Sequence, residues 1–273
     1  MREGPDSQHP RDSRAAVDSA ARTRRRSLAR RPAWLAGIGT QMAGFGLLAT
    51  ALEMGSLSLV QAIIPVGLLL ALPLAARVSA KQLRRSDWVG AAATVGGLAV
   101  LLAIASPTTG RSTPTADGWV VLFTVSVVPT GALVVASGRF VGATRAVALA
   151  TAAGIMLALN AVVTKAAATR FSHGVGQGFS SWETYALAVV GLLGLLLMQN
   201  AFQAGDIEWS LPTLTVANPV VSVVFGMTAL NESVAVHGPV VAVLAAALVV
   251  TIGGIVALAR SPALVAIHEQ AVT

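Results

Sequence analysis

The chain has 273 residues, 55% of them hydrophobic and 11% charged, with no cysteine and a net charge of +7. A soluble domain carries about 25% charged residues, so an ordinary water-exposed globular chain is excluded. The missing cysteine removes a disulfide framework, a thiolate metal site and a cysteine nucleophile. His9, His173, His237 and His268 all fall in predicted loops or tails, and no HExxH, P-loop or GxSxG pattern occurs. No enzyme and no cofactor is expected.

Residues 1–32 are polar, Arg-rich and without hydrophobic periodicity. They are expected to form a disordered cytoplasmic tail held near anionic headgroups. Arg24-Arg25-Arg26-Ser27-Leu28 has the outline of a twin-arginine export signal. The apolar stretch that follows is longer than a signal h-region, and seven more come after it.

Eight apolar segments then run in series: 33–52, 57–76, 88–105, 118–137, 145–165, 184–204, 209–230 and 238–259. Each approaches the roughly 20 residues that cross a bilayer as a helix. The expected fold is all-α: a polytopic helical membrane protein with about eight transmembrane helices. Residues 33–262 form the membrane domain, and 263–273 a cytoplasmic C-terminal tail.

Charge placement agrees. If the spans alternate, sixteen of the 19 basic residues share one side, and only Arg111, Lys165 and Arg170 fall on the other. Lys and Arg collect on the cytoplasmic side, so both termini are expected there, in a multi-pass protein of the cell membrane. The same placement accounts for the positive charge without nucleic acid. Trp34, Trp88, Trp119, Trp182 and Trp209 lie at or beside segment ends, where tryptophan anchors helices at the interface.

Segment one ends Ala51-Leu52-Glu53-Met54-Gly55-Ser56, and segment six ends Ala201-Phe202-Gln203-Ala204-Gly205-Asp206. Each leads through a very short turn into a proline-broken helix with Ser or Thr. Segment three carries Gly96-Gly97 and closes on Ser106-Pro107; segment eight carries Gly253-Gly254 and closes on Ser261-Pro262. Segments one to three therefore correspond to six to eight. An offset of five spans reverses direction, which describes an inverted-topology repeat with residues 33–107 as repeat one and 118–262 as repeat two. Secondary transporters use this plan, with the site at the repeat interface.

The run Trp34-Leu35-Ala36-Gly37, followed by Ala51-Leu52-Glu53-Met54-Gly55-Ser56-Leu57-Ser58-Leu59-Val60-Gln61, resembles the drug/metabolite transporter superfamily. It is most similar to the EamA-type members that also resemble NIPA-type magnesium transporters. Asn160 to Lys165, Leu214 to Ser222 and Leu230-Asn231-Glu232 are similar to the later half of that pattern. The resemblance covers 33–262 and implies transport of a small solute. Members usually have nine or ten spans. Segment five lies just before segment six, and its expected counterpart just before segment one is not found in this sequence, where only the Arg-rich tail stands. That leaves open a truncated or non-transporting membrane protein.

Polar groups inside spans are costly and usually face the bundle interior or a wet cavity. Asn218-Pro219 is the leading candidate: proline removes a backbone donor and displaces a carbonyl one turn back, and Asn218 offers both donor and acceptor. It reads as a substrate-facing kink or as a packed structural one. Asn160 could bond substrate or a neighbouring helix. Gln199 and Asn200, with Gln203, could line an inner mouth. With Thr215, the expected solute contacts are Asn160, Gln199, Asn200, Thr215 and Asn218. Glu53 and Glu232 fall at outer ends and would be the ligands under the alternative, a Mg²⁺ path. Lys165 lies near an outer end and is expected to snorkel to the headgroups. The partners are a small-molecule solute and the lipid bilayer, and a homodimer is compatible with both.

Overall fold

The computed structural model describes residues 32–64, 66–67, 70, 84–105, 108–205, 207–233 and 240–259. The expectations for the tail before Pro32, for most of segment two and for the C-terminal tail lie outside them. All regular structure among the described residues is α-helical: α1 (Pro32–Met54), α2 (Leu57–Ile63), α3 (Arg85–Ala105), α4 (Ala116–Ser137), α5 (Gly142–Ser172), α6 (Val175–Ser180), α7 (Trp182–Ala204), α8 (Ile207–Ala229) and α9 (Val240–Ala259). Among the described residues, α4, α5, α7 and the Trp209–Ala229 part of α8 are long and apolar enough to cross a membrane. The chain divides into two compact units, residues 1–48 and 49–273, and α1 spans the boundary. In the first unit, Thr40 Oγ1 donates to the Ala36 carbonyl at 2.8 Å, one turn back along α1.

Side-chain capping marks the starts of α3 and α4. A helix leaves its first N–H groups without intrahelical partners. Thr115 caps α4 by accepting from the Gly118 amide at 3.1 Å. Asp87, in the first turn of α3, reaches back to the Arg84 amide at 2.8 Å, the reciprocal half of a capping box.

Within residues 49–273, α5 is the central element, packed against α4, α7 and α8. Its 31 residues extend about 46 Å, more than the segment read from apolar length, because polar turns continue it at both ends. Leu149, Ala150 and Ala153 of α5 meet Ala201 of α7 and Leu214 of α8 in one buried cluster, with Leu157, Leu197, Met198 and Phe202 around it. Alanine and glycine on α5 let its neighbours close in. A Cβ on Gly154 would stand 2.6 Å from that of Ala217 and 3.1 Å from the Asn218 amide. Pro212 and Pro219 do not break α8, which runs as one helix through both.

A second close contact joins α3 and α9. A Cβ on Gly97 would lie 2.4 Å from Thr251 Oγ1, and a Cβ on Gly254 would lie 2.5 Å from Thr94 Oγ1. Thr94 Oγ1 donates to the Gly90 carbonyl at 2.8 Å, and Thr251 Oγ1 to the Ala247 carbonyl at 2.7 Å. The contact is reciprocal: Thr94-Val95-Gly96-Gly97 faces Thr251-Ile252-Gly253-Gly254, each threonine over the other helix's second glycine. Because Gly97 meets Thr251 while Thr94 meets Gly254, the two helices run antiparallel. Small residues that admit a facing backbone are the usual basis of helix association in lipid.

Candidate functional site

The helix break between α1 and α2 is two residues long, Gly55-Ser56, and exposes both kinds of helix end. The last carbonyls of α1 carry partial negative charge and the first amides of α2 partial positive charge. Locally, the Gly55 amide bonds the Ala51 carbonyl at 2.9 Å, and Ser56 caps α2 by accepting from the Leu59 amide at 3.2 Å. Four further backbone groups, two carbonyls and two amides, are met by two charged side chains from the later half of the chain.

Lys165 of α5 takes the carbonyl side. Its Nζ donates to the Leu52 carbonyl at 2.7 Å and also to the Gly55 carbonyl. The side chain is 1% exposed, so it does not snorkel to the headgroups as expected. The carbonyl end of α1 supplies the acceptors that water would otherwise give.

Glu232 takes the amide side. Its carboxylate accepts from the Leu57 amide, from the Ser58 amide at 2.9 Å and from Ser58 Oγ at 2.6 Å. Three local features place it there. Asn231 ends α8 in the left-handed region at φ 55, which asparagine tolerates better than most residues. The Glu232 amide bonds back to the Gly226 carbonyl at 3.0 Å. Gly226 leaves the space, since a Cβ there would lie 2.3 Å from Glu232 Oε2 and 2.6 Å from Ser58 Oγ. The 108–114 loop braces the same turn: Thr108 Oγ1 lies 2.6 Å from Ser233 Oγ, and the Arg111 amide donates to the Leu230 carbonyl at 2.6 Å.

Lys165 and Glu232 thus hold opposite sides of one helix break. Among the described residues the one direct ion pair lies elsewhere, Arg170 to Glu183 at 3.0 Å. It ties the end of α5 to the start of α7, near the edge-to-face rings of Trp119 and Trp182 at 4.9 Å. Two of the three basic residues on the arginine-poor side therefore have structural partners. Gln61, one turn along α2 from Ser58, is 2% exposed, and its Oε1 has no hydrogen-bond partner.

The five expected solute contacts do not gather here. Asn160 Oδ1 is buried without a partner and faces α7, 3.1 Å from where a Gly191 Cβ would sit. Thr215 Oγ1 donates to the Leu211 carbonyl at 2.7 Å within α8. Asn218 Oδ1 accepts from Ser222 Oγ at 3.4 Å, a weak bond. Gln199 and Asn200 are exposed, and Asn200 Nδ2 donates to the Leu196 carbonyl of its own helix at 2.8 Å. Among the described residues no hydrogen bond joins any two of the five. Glu53 is half-buried, and no group of three His, Cys, Asp or Glu among the described residues could hold a metal. Ser58 and Gly226 were not legible as site residues. The one available signal was that a two-residue break in an apolar chain needs partners for its orphaned backbone groups.

No family model matches the chain, and no solved structure matches it at a significant level. An uncharacterized protein of Corynebacterium glutamicum is 31% identical over 231 residues, which cover 84% of this chain and 80% of that protein. Identity of that extent includes most of the apolar region, and the relative's description carries no activity. The chain belongs to the same family as this corynebacterial protein.

Proposed function

We propose that the protein is a secondary transporter of the drug/metabolite transporter superfamily, EamA type. It moves a small polar metabolite or drug-like solute across the cell membrane by alternating access, with both termini cytoplasmic. The observation that carries this reading is the reciprocal packing of Thr94 and Gly97 against Thr251 and Gly254. Segments three and eight are the pair that the sequence repeat equates, and an inverted repeat supplies such antiparallel, self-complementary contacts. Charged groups bridging the two halves at Gly55-Ser56 support it further, because buried intramembrane charge is expensive and usually functional.

The solute would sit where α8 comes closest to α5, beside Gly154. Pro219 removes the donor that the Thr215 carbonyl would otherwise meet, and Asn218 holds only one weak internal bond. Replacing Asn218 by alanine lowers kcat/KM for solute flux by roughly three- to tenfold, the worth of one neutral hydrogen bond, at unchanged membrane expression. Unchanged flux kinetics remove Asn218 from the site. A Mg²⁺ path is the weaker reading, because three donors of α2 occupy the Glu232 carboxylate.

A further inference from the structure

The clamp on Gly55-Ser56 is more than a helix cap requires. Ser56 already caps α2 locally, and a short α2 could have been completed by a second nearby Ser, Thr or Asp. Instead a carboxylate 174 residues away in sequence, 3% exposed, bridges the end of α8 to the first turn of α2. Burying such charges costs several kcal/mol each, and well-packed apolar residues often serve stability as well. The two charges also do not neutralise one another as a direct ion pair. Lys165 is spent on the α1 carbonyls and Glu232 on the α2 amides, so each holds one side of the same break. Moving α2 away from α8 strips Glu232 of three donors. Moving the Leu52–Gly55 stretch away from α5 strips Lys165 of two acceptors.

We propose that Lys165 and Glu232 form a latch that closes this end of the bundle, the end that the arginine distribution puts outside. Gly55-Ser56 is the pivot, and Gly226 is the notch that admits the carboxylate. The latch rests on the transporter reading, for which it supplies the outer closure. It holds α2 against α8 in the closed state and must release both charged contacts when this end opens.

The chain has no cysteine, so single cysteines report without background. Ser222 is fully buried on α8, one turn before Gly226. Ala150 is fully buried in the α5–α7–α8 core. Ser222→Cys and Ala150→Cys are labelled in intact cells with a membrane-impermeant maleimide. With the latch intact, Ser222→Cys reacts slowly. Adding Glu232→Gln, which keeps the shape and removes the charge, raises that rate about tenfold or more, and adding Ser58→Ala raises it about threefold, in line with the bonds lost. Ala150→Cys stays unreactive in each background. An unchanged rate at Ser222→Cys overturns the latch, and so does an equal rise at Ala150→Cys, which would mean general loosening. Solute release from vesicles holding the unsubstituted protein is read separately. A labelling response without release leaves the latch and removes the transport reading; release without a labelling response does the reverse.

Discussion

Glu232→Ala destabilises the protein by about 3–5 kcal/mol, the range for removing one partner of a buried charged contact. The Leu57 and Ser58 amides and Ser58 Oγ lose their acceptor, and only the Lys165 side of the break stays held. Each donor left buried and unmet costs about 1–3 kcal/mol. Glu232→Gln costs less, because the amide oxygen still accepts from α2. Glu232→Asp falls between them, since the shorter side chain reaches the break less well. Thermal unfolding in detergent, followed by tryptophan fluorescence, ranks the three. Combining Glu232→Ala with Lys165→Met gives less than the sum of the single effects, because both side chains hold one break and the second loss falls on a site already open. Additive effects would mean that the two charges stabilise unrelated structures.

Gly97→Leu and Gly254→Leu each destabilise the α3–α9 contact by about 3 kcal/mol, the upper part of the range for overpacking. At Gly97 the new Cβ meets the Ala247 carbonyl at 2.8 Å and the Thr251 amide at 2.9 Å; at Gly254 it meets the Thr94 amide at 2.6 Å and the Gly90 carbonyl at 2.7 Å. These are backbone atoms, so no rotamer change relieves the clash. The two substitutions have nearly equal effects because the contact is reciprocal. Leucine at Gly96 or Gly253 changes little, since a Cβ at either meets nothing within 4 Å. Unfolding of the four variants in detergent separates the pairs. A large effect at Gly97 beside none at Gly254 would contradict the reciprocal packing.

The helices were legible because apolar length is a one-dimensional signal. Segments three to eight reappear as α3, α4, α5, α7, α8 and α9 with ends shifted by a few residues. The largest shift is in α5, which runs past Lys165 to Ser172 through three alanines and a largely polar last turn. The short α6 was missed because its six residues, Val175–Ser180, include two glycines and read as loop. The likeness of Gly96-Gly97 to Gly253-Gly254 was visible in the sequence, and the structure packs the two helices that carry them against each other.

The site was less legible. Hydropathy gives the depth of Lys165 but not the helix face it occupies, and depth alone favoured the headgroups. The carbonyls it binds belong to a helix more than 100 residues earlier in the chain. Glu232 was noticed as an acid at a segment end, yet its partners are mostly backbone amides, which carry no residue-type signal. The polar residues of segment six illustrate the same limit. Asn200 spends its amide on its own helix, a use that the sequence does not distinguish from solute binding.

Transport itself is tested most directly by release from proteoliposomes loaded with a cytoplasmic metabolite extract and Mg²⁺, read by mass spectrometry and metal analysis against protein-free vesicles. The account predicts saturable loss of at least one small polar metabolite, with Mg²⁺ retained. Release of Mg²⁺ alone, or retention of every solute, would contradict it.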